Sequence, residues 1–402
     1  MKPATILRNL QDIPPEWLSY PETARLFSAI HEAGGECRFV GGCVRDALLG
    51  ILSDDLDICT NMRPEAVLDC LGKAGFRVIP TGMSHGTVTA VLNKRVFEVT
   101  TLRVDVETDG RHADVSFTQS WQEDAARRDF TFNALFLEQD GRLYDFFSGL
   151  QDLERGIVRF IGEPAERIQE DYLRILRYFR FLARFGQSVQ CPSAEEAIVL
   201  NKGGLAQLSA ERISKELLLL LKVPNPMAAV EMMDRLGIFE VLFERDVSVS
   251  LLSSMIMLDF QSDEINRLSG LLKGDDQYAR QVARELRLSS RAENRLIRSC
   301  EDRLKPSLNR QEQKKTLYFV GKQTFEDRVL LSWAREPAAV AYADYLKLAE
   351  EWLIPEFPVS GKDLIDRGIQ PGPEMGAQLK KMENQWVDSD FKLDWEALLG
   401  QL

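Results

Sequence analysis

The chain has few of the residues from which metal and disulfide sites are built. Its 402 residues include three histidines and six cysteines, and no two cysteines form a CxxC pair. This scarcity excludes most zinc sites and provides no disulfide framework, as is usual in a reducing cytosol. No run of about 18 apolar residues occurs, and the N-terminus MKPATILRNLQDIPPEW has no apolar signal core. The sequence therefore predicts a soluble, cytoplasmic protein with no membrane partner.

The chain also has fewer basic than acidic residues, with 50 Lys and Arg and 62 Asp and Glu, which gives a net charge of -12. A protein that holds nucleic acid by bulk charge usually has the opposite sign, so a nucleic-acid partner must be bound by local patches. One such patch is residues 280–315, with eleven basic and five acidic side chains. Its charge fits either a solvated helix face or contact with a phosphate backbone, and both interpretations stay open.

The residues that are present indicate at least two domains, because 402 residues with 45% hydrophobic side chains can bury a large core. Up to about residue 150, β-branched or aromatic segments predict strands: CRFVGG, LDICT, FRVIPTG, GTVTAVL, RVFEVTTL and NALFLEQDGRLYDF. Between them, PETARLFSAIHEAG and PEAVLDCLGKAG predict helices that begin near proline and end at glycine. From Leu150 onward helical periodicity takes over. This order predicts an α/β head followed by all-helical domains.

A glycine turn and an acidic strand stand close together in RFVGGCVRDALLGILSDDLDICTN, residues 38–61. Asp55 and Asp57 would share one face, because side chains alternate along a strand. Two carboxylates at that spacing repel unless a cation lies between them, and oxygen ligands favour Mg²⁺. The Gly-Gly turn lets backbone N–H groups approach an anion, and Arg45 adds a positive fork. Together they predict phosphoryl or nucleotidyl transfer; a plain turn before an acidic surface loop is the alternative.

A third carboxylate should complete this site from a neighbouring strand. Glu98 of RVFEVTTL is the best-placed candidate, since that segment is predicted to be a later strand of the same sheet. An ordinary exposed strand glutamate is an equally good interpretation.

Five segments, taken in chain order, resemble the class II family of tRNA nucleotidyltransferases and bacterial poly(A) polymerases, within the polymerase-beta-like nucleotidyltransferases. The first is GGCVRD with DDLD. EDAARRDFTFNAL resembles the RRDFT-x-NA motif, DFFSGLQDLERGIVR the D-x-x-x-G-x-x-D-L hinge, and EDYLRILRYFRF the E-D-x-x-R-x-x-R motif. VSGKDLIDRGIQPGPEMGAQLKKM resembles the tail segment. The resemblance covers nearly the whole chain, and its one departure is Phe132, where isoleucine or methionine is commoner.

The resemblance implies an arrangement of four parts with catalysis in the head. They are a nucleotidyltransferase head at 1–150, a helical neck with the base-selecting helix at 151–220, a tRNA-binding helical body at 221–335 and a helical tail at 336–402. Magnesium binding falls to Asp55 and Asp57. The nucleotide contacts that the resemblance implies are Gly42, Arg45, Arg128, Asp171, Arg174, Arg177 and Arg180.

The neck motif also predicts how a base is chosen. Asp171 and Arg174 are three residues apart, so on an α-helix they would lie within about 60° on one face. Asp171 can accept from an exocyclic amine, and Arg174 can donate to a ring nitrogen or carbonyl. Cytosine and adenine match this pair, whereas uracil and guanine present a carbonyl to the carboxylate. The pair therefore predicts selection of C and A without a nucleic-acid template; an i,i+3 salt bridge is the alternative.

Residues 102–124 are polar, contain glycine and are long for a loop, which predicts a mobile functional element. In the family a flexible loop at this place helps the switch from C to A addition, and enzymes that add only CC tend to lack part of it. The length of this segment favours full CCA addition or A addition.

These observations predict a Mg²⁺-dependent, template-independent enzyme that adds or repairs the 3′-terminal CCA of tRNA, with the tRNA 3′ end, CTP and ATP as partners. The catalytic carboxylates would be Asp55, Asp57 and Glu98. A poly(A) polymerase is the closest rival, but those tend to carry a basic C-terminal extension, whereas residues 341–402 hold six basic and twelve acidic side chains. An A-adding specialist and a non-catalytic helical RNA-binding protein are further alternatives.

Overall fold

The computed structural model of the chain describes residues 14–108, 113–186, 191–243, 245–258 and 261–400. The chain divides into two compact units, Met1–Glu244 and Arg245–Leu402. The first contains β-sheet and helices, and the described part of the second contains helices without strands. In these described ranges, no helix has the length and apolar character needed to cross a lipid bilayer.

The first unit is built on a mixed β-sheet. Its described strands are β1 (Cys37–Val40), β2 (Leu56–Thr60), β3 (Arg77–Gly82), β4 (Thr87–Leu92), β5 (Arg95–Thr101), β6 (Arg103–Thr108), β7 (Ala113–Phe117), β8 (Leu135–Leu137) and β9 (Leu143–Asp145). Seven of them pair in the order β3-β4-β5-β2-β1-β8-β9. β2 and β5 pair in parallel, and the other neighbours pair antiparallel. Every segment that the sequence predicts as a strand lies in this sheet.

β6 and β7 form a separate antiparallel pair, with a register shift between Asp105 and Glu107. They occupy about half of the stretch 102–124 that the sequence predicted to be a loop, and that prediction is wrong for both strands. RVDVET and ADVSF have the two-residue alternation of strands, which their high polarity conceals. Residues 109–112, between the strands, lie outside the described residues.

In chain order, the first four helices of the first unit lie before or between strands, and the other helices come after the last strand. They are α1 (Pro21–Glu32), α2 (Gly42–Leu48), α3 (Pro64–Lys73), α4 (Trp121–Ala126), α5 (Gly149–Arg155), α6 (Pro164–Glu170), α7 (Leu173–Phe185), α8 (Pro192–Asn201), α9 (Ala210–Leu221), α10 (Met227–Arg235) and α11 (Ile238–Leu242). A buried aromatic cluster joins the RRDFT segment to α7, since Phe130 and Phe132 lie 5.4 and 5.3 Å from Phe181, centroid to centroid. This packing sets α7 beside the head sheet.

The second unit is helical throughout its described residues. Its helices are α12 (Val249–Leu258), α13 (Glu264–Leu271), α14 (Asp276–Glu285), α15 (Ser290–Cys300), α16 (Arg310–Val320), α17 (Lys322–Arg335), α18 (Tyr342–Glu351), α19 (Gly361–Asp366), α20 (Pro373–Asp388) and α21 (Trp395–Leu399). Apolar clusters form around Phe325 with Tyr345, and around Trp386 with Leu398. A mixed-sheet head followed by helices confirms the predicted fold class.

Candidate active site

A cavity of about 500 Å³ opens in the first unit, where seven arginines and four aspartates contribute to its wall. This excess of positive charge suits a polyanionic ligand. Of the ten residues predicted for the site, eight line the cavity: Gly42, Arg45, Asp57, Arg128, Asp171, Arg174, Arg177 and Arg180. Asp55 and Glu98 are not among its lining residues.

The glycine turn joins β1 to α2 at the cavity wall. Gly41 has φ 73° and ψ -124°, a backbone conformation that a side chain makes costly. A Cβ at Gly41 would lie 3.6 Å from Nη1 of Arg128, an ordinary contact, so the backbone conformation alone accounts for the cost. At Gly42 a Cβ would meet Nη2 of Arg45 at 3.8 Å, an ordinary contact. The turn therefore requires glycine at position 41, while position 42 is the first residue of the helix.

Arg45 is a buried cation held at two points. Its Nε donates to Oδ1 of Asp46 at 2.9 Å, and its Nη1 donates to Oδ1 of Asn133 at 2.6 Å. Burial lowers the pKa of Arg45 from its usual value, and the Asp46 carboxylate opposes that shift. Since an arginine keeps its charge even so, the cavity has a fixed positive group beside the glycine turn.

Arg128 is oriented by a carboxylate with no exposed surface. Its Nε and Nη2 donate to Oδ2 of Asp124 at 3.2 and 2.9 Å, while Arg127 donates to the other oxygen at 2.7 Å. Nη2 of Arg128 also lies 3.2 Å from Sγ of Cys59. Burial raises the pKa of Asp124, but the two arginines outweigh it and the net shift is downward. Asp124 is thus an anion that fixes both guanidinium groups.

The predicted acidic residues are neighbours. Asp57 of β2 and Glu98 of β5 occupy the same register position of the parallel pair, and Asp55 immediately precedes β2. Burial raises the pKa of Asp57 to about 6; Glu98 and Asp55 add to the rise, and Arg128 opposes it. Carboxylates that disfavour one another's ionisation are a donor set that a cation would stabilise. Glu98 therefore lies where the prediction places it, beside Asp57.

Oxygen donors of this kind match a hard divalent cation such as Mg²⁺. Within the described ranges, no three His, Cys, Asp or Glu side chains are already grouped as a metal cluster. The acidic side chains are therefore adjacent without forming a complete coordination shell. Their donor chemistry and the raised pKa of Asp57 fit the predicted ion.

Asp171 does not lie on the helix that the sequence predicts. α6 ends at Glu170 and α7 begins at Leu173, and between them Asp171 has φ -154° and ψ 103°. Its Oδ1 accepts from the backbone N–H of Leu173 at 3.1 Å, a local bond that competes with helix continuation. Its Oδ2 accepts from Nη2 of Arg212 at 2.8 Å. The predicted common helical face of Asp171 and Arg174 is therefore wrong, although both side chains line the cavity.

Arg174 is held by the last turn of α6. Its Nη1 donates to Oε2 of Glu170 at 2.6 Å and to the carbonyl oxygen of Arg167 at 2.7 Å. Asp171 pairs instead with Arg212, so an Asp171–Arg174 salt bridge is absent from the ion pairs of the described residues. Each member of the pair is held by a different neighbour.

Arg177 and Arg180 extend the positive wall along α7. Nε of Arg177 donates to Oδ2 of Asp129 at 2.7 Å, and Nε of Arg180 lies 2.6 Å from Oε2 of Glu216. Burial lowers the pKa of Arg177, but the nearby carboxylates, Asp129 first and then Glu216, together outweigh it and raise the pKa overall. Burial lowers the pKa of Arg180. Carboxylates behind α7 thus hold both cations at the cavity.

Sequence reasoning missed several residues of the cavity and its support. The lining residues that it did not assign are Arg103, Asp105, Arg127, Asp129, Asn133 and Phe181. A signal existed for the support of Arg128, because Asp124 stands three and four residues before the two arginines on helical spacing. Arg103 and Asp105 share a strand face in RVDV, but the loop prediction hid this alternation.

Three family models match the chain: a Poly A polymerase head domain over residues 37–159, an RNA and SrmB-binding site of polymerase A over 192–247, and a tRNA nucleotidyltransferase domain 2 over 261–402. The chain is 36% identical to the mitochondrial CCA tRNA nucleotidyltransferase 1 of Mus musculus over 389 residues, which cover 91% of this chain and 86% of that protein. It is 34% identical to the CCA-adding enzyme of Limosilactobacillus fermentum over 409 residues, 97% of this chain and 98% of that protein.

Solved structures show the same likeness. A crystal structure of the Bacillus stearothermophilus CCA-adding enzyme in complex with CTP aligns with a TM-score of 0.73 at 27% identity, covering 92% of this chain and 94% of that chain. The Thermotoga maritima CCA-adding enzyme complexed with tRNA shares the fold, with a TM-score of 0.66 at 21% identity over 98% of both chains.

Proposed function

Because the chain belongs to the class II family of CCA-adding tRNA nucleotidyltransferases, we propose that it builds or repairs the 3′-terminal CCA of tRNA from CTP and ATP. Relatives at 36% and 34% identity over most of the chain are named for this activity. The observation that carries the proposal is the cavity in which Asp57, Arg45 and Arg128 meet the Asp171–Arg174 pair. Transfer of a selected nucleotide needs a metal ligand, cations for the triphosphate and a reader of the base in one space.

The triphosphate is bound by the Gly42 backbone, Arg45 and Arg128. The 3′-hydroxyl of the primer attacks the α-phosphate, and pyrophosphate leaves. Asn133 and Asp124 hold the two guanidinium groups before the nucleotide arrives. Cations already in place stabilise charge that develops in the transition state without reorganising, which is the main source of such catalysis.

The acidic residues of β2 and β5 complete the chemistry. Asp55 and Asp57 would hold Mg²⁺, and Glu98 is the further carboxylate beside them. When bound, the ion neutralises phosphate charge and favours ionisation of the attacking hydroxyl. Because its pKa is raised to about 6, Asp57 would release a proton on metal binding chiefly at pH values of about 6 and below.

Asp171 and Arg174 select the base from the break between α6 and α7. Asp171 accepts from the exocyclic amine of C or A, and Arg174 donates to the adjacent ring nitrogen. Arg177 and Arg180 bind the nucleotide further along α7. Since Glu170 and Arg212 hold the two reading groups in place, a uracil or guanine would set a carbonyl oxygen against the Asp171 carboxylate, and this mismatch rejects it.

The basic run 280–315 separates into two kinds of residue. Arg295 binds Asp327 and Asp263 at 2.8 Å, and Lys314 and Lys315 pair with acidic residues of the second unit. The exposed arginines of α14–α15 are Arg280, Arg284, Arg291 and Arg298. We propose that these four bind tRNA phosphates, in the body at 221–335 of the head, neck, body and tail division given above.

The test is single-nucleotide addition to tRNA ending before CCA, at -C and at -CC, with CTP and ATP offered separately. Wild-type protein should add C to the first two and A to the third. Asp57→Ala should abolish addition without unfolding the chain, while Asp69→Ala, an exposed aspartate paired with Lys73, should match the wild type. Near-normal turnover of Asp57→Ala with magnesium would overturn the metal assignment. Extension of any RNA by many A residues would point to the poly(A) polymerase rival.

A further inference from the structure

We propose that Asn133 is a positioning residue that couples the triphosphate side of the cavity to its base side. The inference rests on the proposed function, in which Arg45 binds the triphosphate and Arg177 lies on the base-selecting helix. Asn133 lies between these two cations at the cavity wall. It follows the RRDFT segment on a single 3₁₀ turn, Thr131–Asn133.

Three hydrogen bonds join the two cations. Nη1 of Arg45 donates to Oδ1 of Asn133 at 2.6 Å. Nδ2 of Asn133 donates to Oδ1 of Asp129 at 3.0 Å, and the other oxygen of Asp129 accepts from Nε of Arg177 at 2.7 Å. A continuous hydrogen-bonded row therefore runs from α2 to α7 through Asn133 and Asp129.

The chemistry of the partners fixes the direction of the Asn133 amide. A guanidinium only donates and an ionised carboxylate only accepts, so the amide oxygen must face Arg45 and the amide nitrogen must face Asp129. Rotating the amide by 180° would break both bonds. Asn133 is 7% exposed, which leaves little room for water as a substitute. Its backbone is also held, since its N–H donates to the carbonyl of Phe130 at 2.9 Å.

This arrangement lets each cation influence the other. Asp46 accepts from Nε of Arg45, and Asn133 accepts from Nη1 on another edge of the guanidinium group, so Asn133 fixes the position of that edge. Asp129 is shared by Asn133 and Arg177, and a displacement of Arg177 therefore shifts the carboxylate that holds the amide. A base that engages α7 would thereby tighten or loosen the cation that binds its own triphosphate.

The decisive probe is inorganic triphosphate, which carries no base. It is titrated by calorimetry, in the presence of magnesium, into the wild type, two single variants and their double variant. Asn133→Ala should weaken binding by about tenfold or more, the loss of one bond to a charged group. Arg177→Lys keeps its charge but loses the two-point grip on Asp129, and should weaken binding by about threefold although no base is present. The double variant should be no weaker than Asn133→Ala alone, because the connection is already cut.

Asn201→Ala is the matched control. Asn201 bonds the carbonyl of Ala197 and the side chain of Gln169 outside the cavity, so this change should leave triphosphate affinity as in the wild type. The same variants should raise KM for CTP and ATP more than they lower kcat. A purely structural role would lower the melting temperature without this division between KM and kcat.

Unchanged triphosphate affinity in Asn133→Ala, or effects of the two single changes that multiply in the double variant, would overturn the coupling. If Asn133→Ala does not fold, Arg177→Lys decides alone, and wild-type triphosphate affinity in that variant overturns the proposal. A wild-type protein that binds triphosphate with this coupling but adds nothing to tRNA would sink the proposed function and leave the coupling supported. A protein that adds nucleotides to tRNA but binds triphosphate equally well as Asn133→Ala would support the proposed function and overturn the coupling.

Discussion

Asp129 is a partly buried carboxylate at which several donors of the cavity wall converge. It accepts from Arg177, from the Asn133 amide and from the backbone N–H of Phe130. Burial raises its pKa, but these donors, Arg177 foremost, lower it by more, so the net pKa lies below the usual 3.8. A lowered folded-state pKa contributes stability that is complete above 3.8 and lost as the pH falls through the folded-state pKa.

Asp129→Asn should therefore lower the free energy of unfolding at pH 7 by about 2 kcal/mol, the value of a hydrogen bond to a charged group. The difference from the wild type should shrink as the pH falls below about 4. Urea unfolding at pH 7, 5 and 3.5 measures it. A difference that stays constant over this range would mean that Asp129 contributes packing rather than charge.

Asp171 and Arg174 are the residues with the sharpest expected effect on base choice. On the proposed base selection, Asp171→Ala would remove the acceptor for the amine of C and A, and should reduce the preference for CTP over UTP by about ten- to a hundredfold. Arg174→Ala should lower the use of both correct nucleotides, because it donates to both. Single-nucleotide addition with each of the four triphosphates measures this. An Asp171→Ala enzyme that is slow but keeps its full C-over-U preference would place base choice elsewhere.

At the scale of the element, the turn from β1 to α2 offers a matched pair of glycines. Gly41→Ala forces a side chain into the left-handed region at φ 73°, which should cost about 1–3 kcal/mol of stability. Gly42→Ala adds a methyl group in ordinary contact with Arg45 and should leave the free energy of unfolding within about 0.5 kcal/mol of the wild type. Denaturant unfolding of both variants compares them. Equal losses would show that the turn does not depend on the conformation of Gly41.

The sequence predicted correctly those helices and strands whose conformation is determined by their own side chains. The apolar strands of the head and the proline-initiated helices α1 and α3 follow from local pattern alone. The break at Asp171 could not be predicted in this way, because EDYLRILRYFR has unbroken helical periodicity. Its cause is a carboxylate that bonds the Leu173 N–H and is held from outside by Arg212, 41 residues away in sequence.

The candidate site shows the same division between local and long-range causes. The closeness of Asp57 and Glu98 follows from two strands predicted for one sheet, and the structure pairs them in register. The partners that orient Arg45 and Arg177, namely Asn133 and Asp129, lie 88 and 48 residues away. No spacing rule connects residues so far apart, so the motif segments indicated which arginines matter but not what holds them.

For the whole molecule, the expected tRNA contacts can be separated from the nucleotide contacts. Replacing Arg280, Arg284, Arg291 and Arg298 with glutamine should weaken tRNA binding and reduce the slope of log affinity against log salt by about 3. Affinity for CTP and ATP should stay unchanged, because the cavity residues all belong to the first unit. Binding titrations from 50 to 200 mM salt measure the slope, at concentrations where counterion release is readily seen.

The control for this prediction is the pair Lys314→Gln and Lys315→Gln. These lysines lie in the same basic run, but Asp390 and Asp388 already neutralise them. Their replacement should leave the salt slope nearly unchanged. Equal loss of nucleotide and tRNA affinity in the four-arginine variant would show that these arginines do not act through tRNA phosphates.

All residues that line the cavity belong to the first compact unit, and this has a consequence for how the enzyme can evolve. The product sequence C-C-A is stored in no nucleic-acid strand that the enzyme copies; on this proposal it is stored in a few codons of the first unit, such as those of Asp171 and Arg174. Mutation there would change the sequence added to every tRNA, whereas mutation of the arginines of α14–α15 would change how tightly tRNA is bound, because phosphate contacts carry no sequence information. The choice of nucleotide and the affinity for tRNA can therefore change separately during evolution. A chimera that exchanges residues 245–402 for those of a relative should change its affinity for tRNA and keep its own choice of nucleotide.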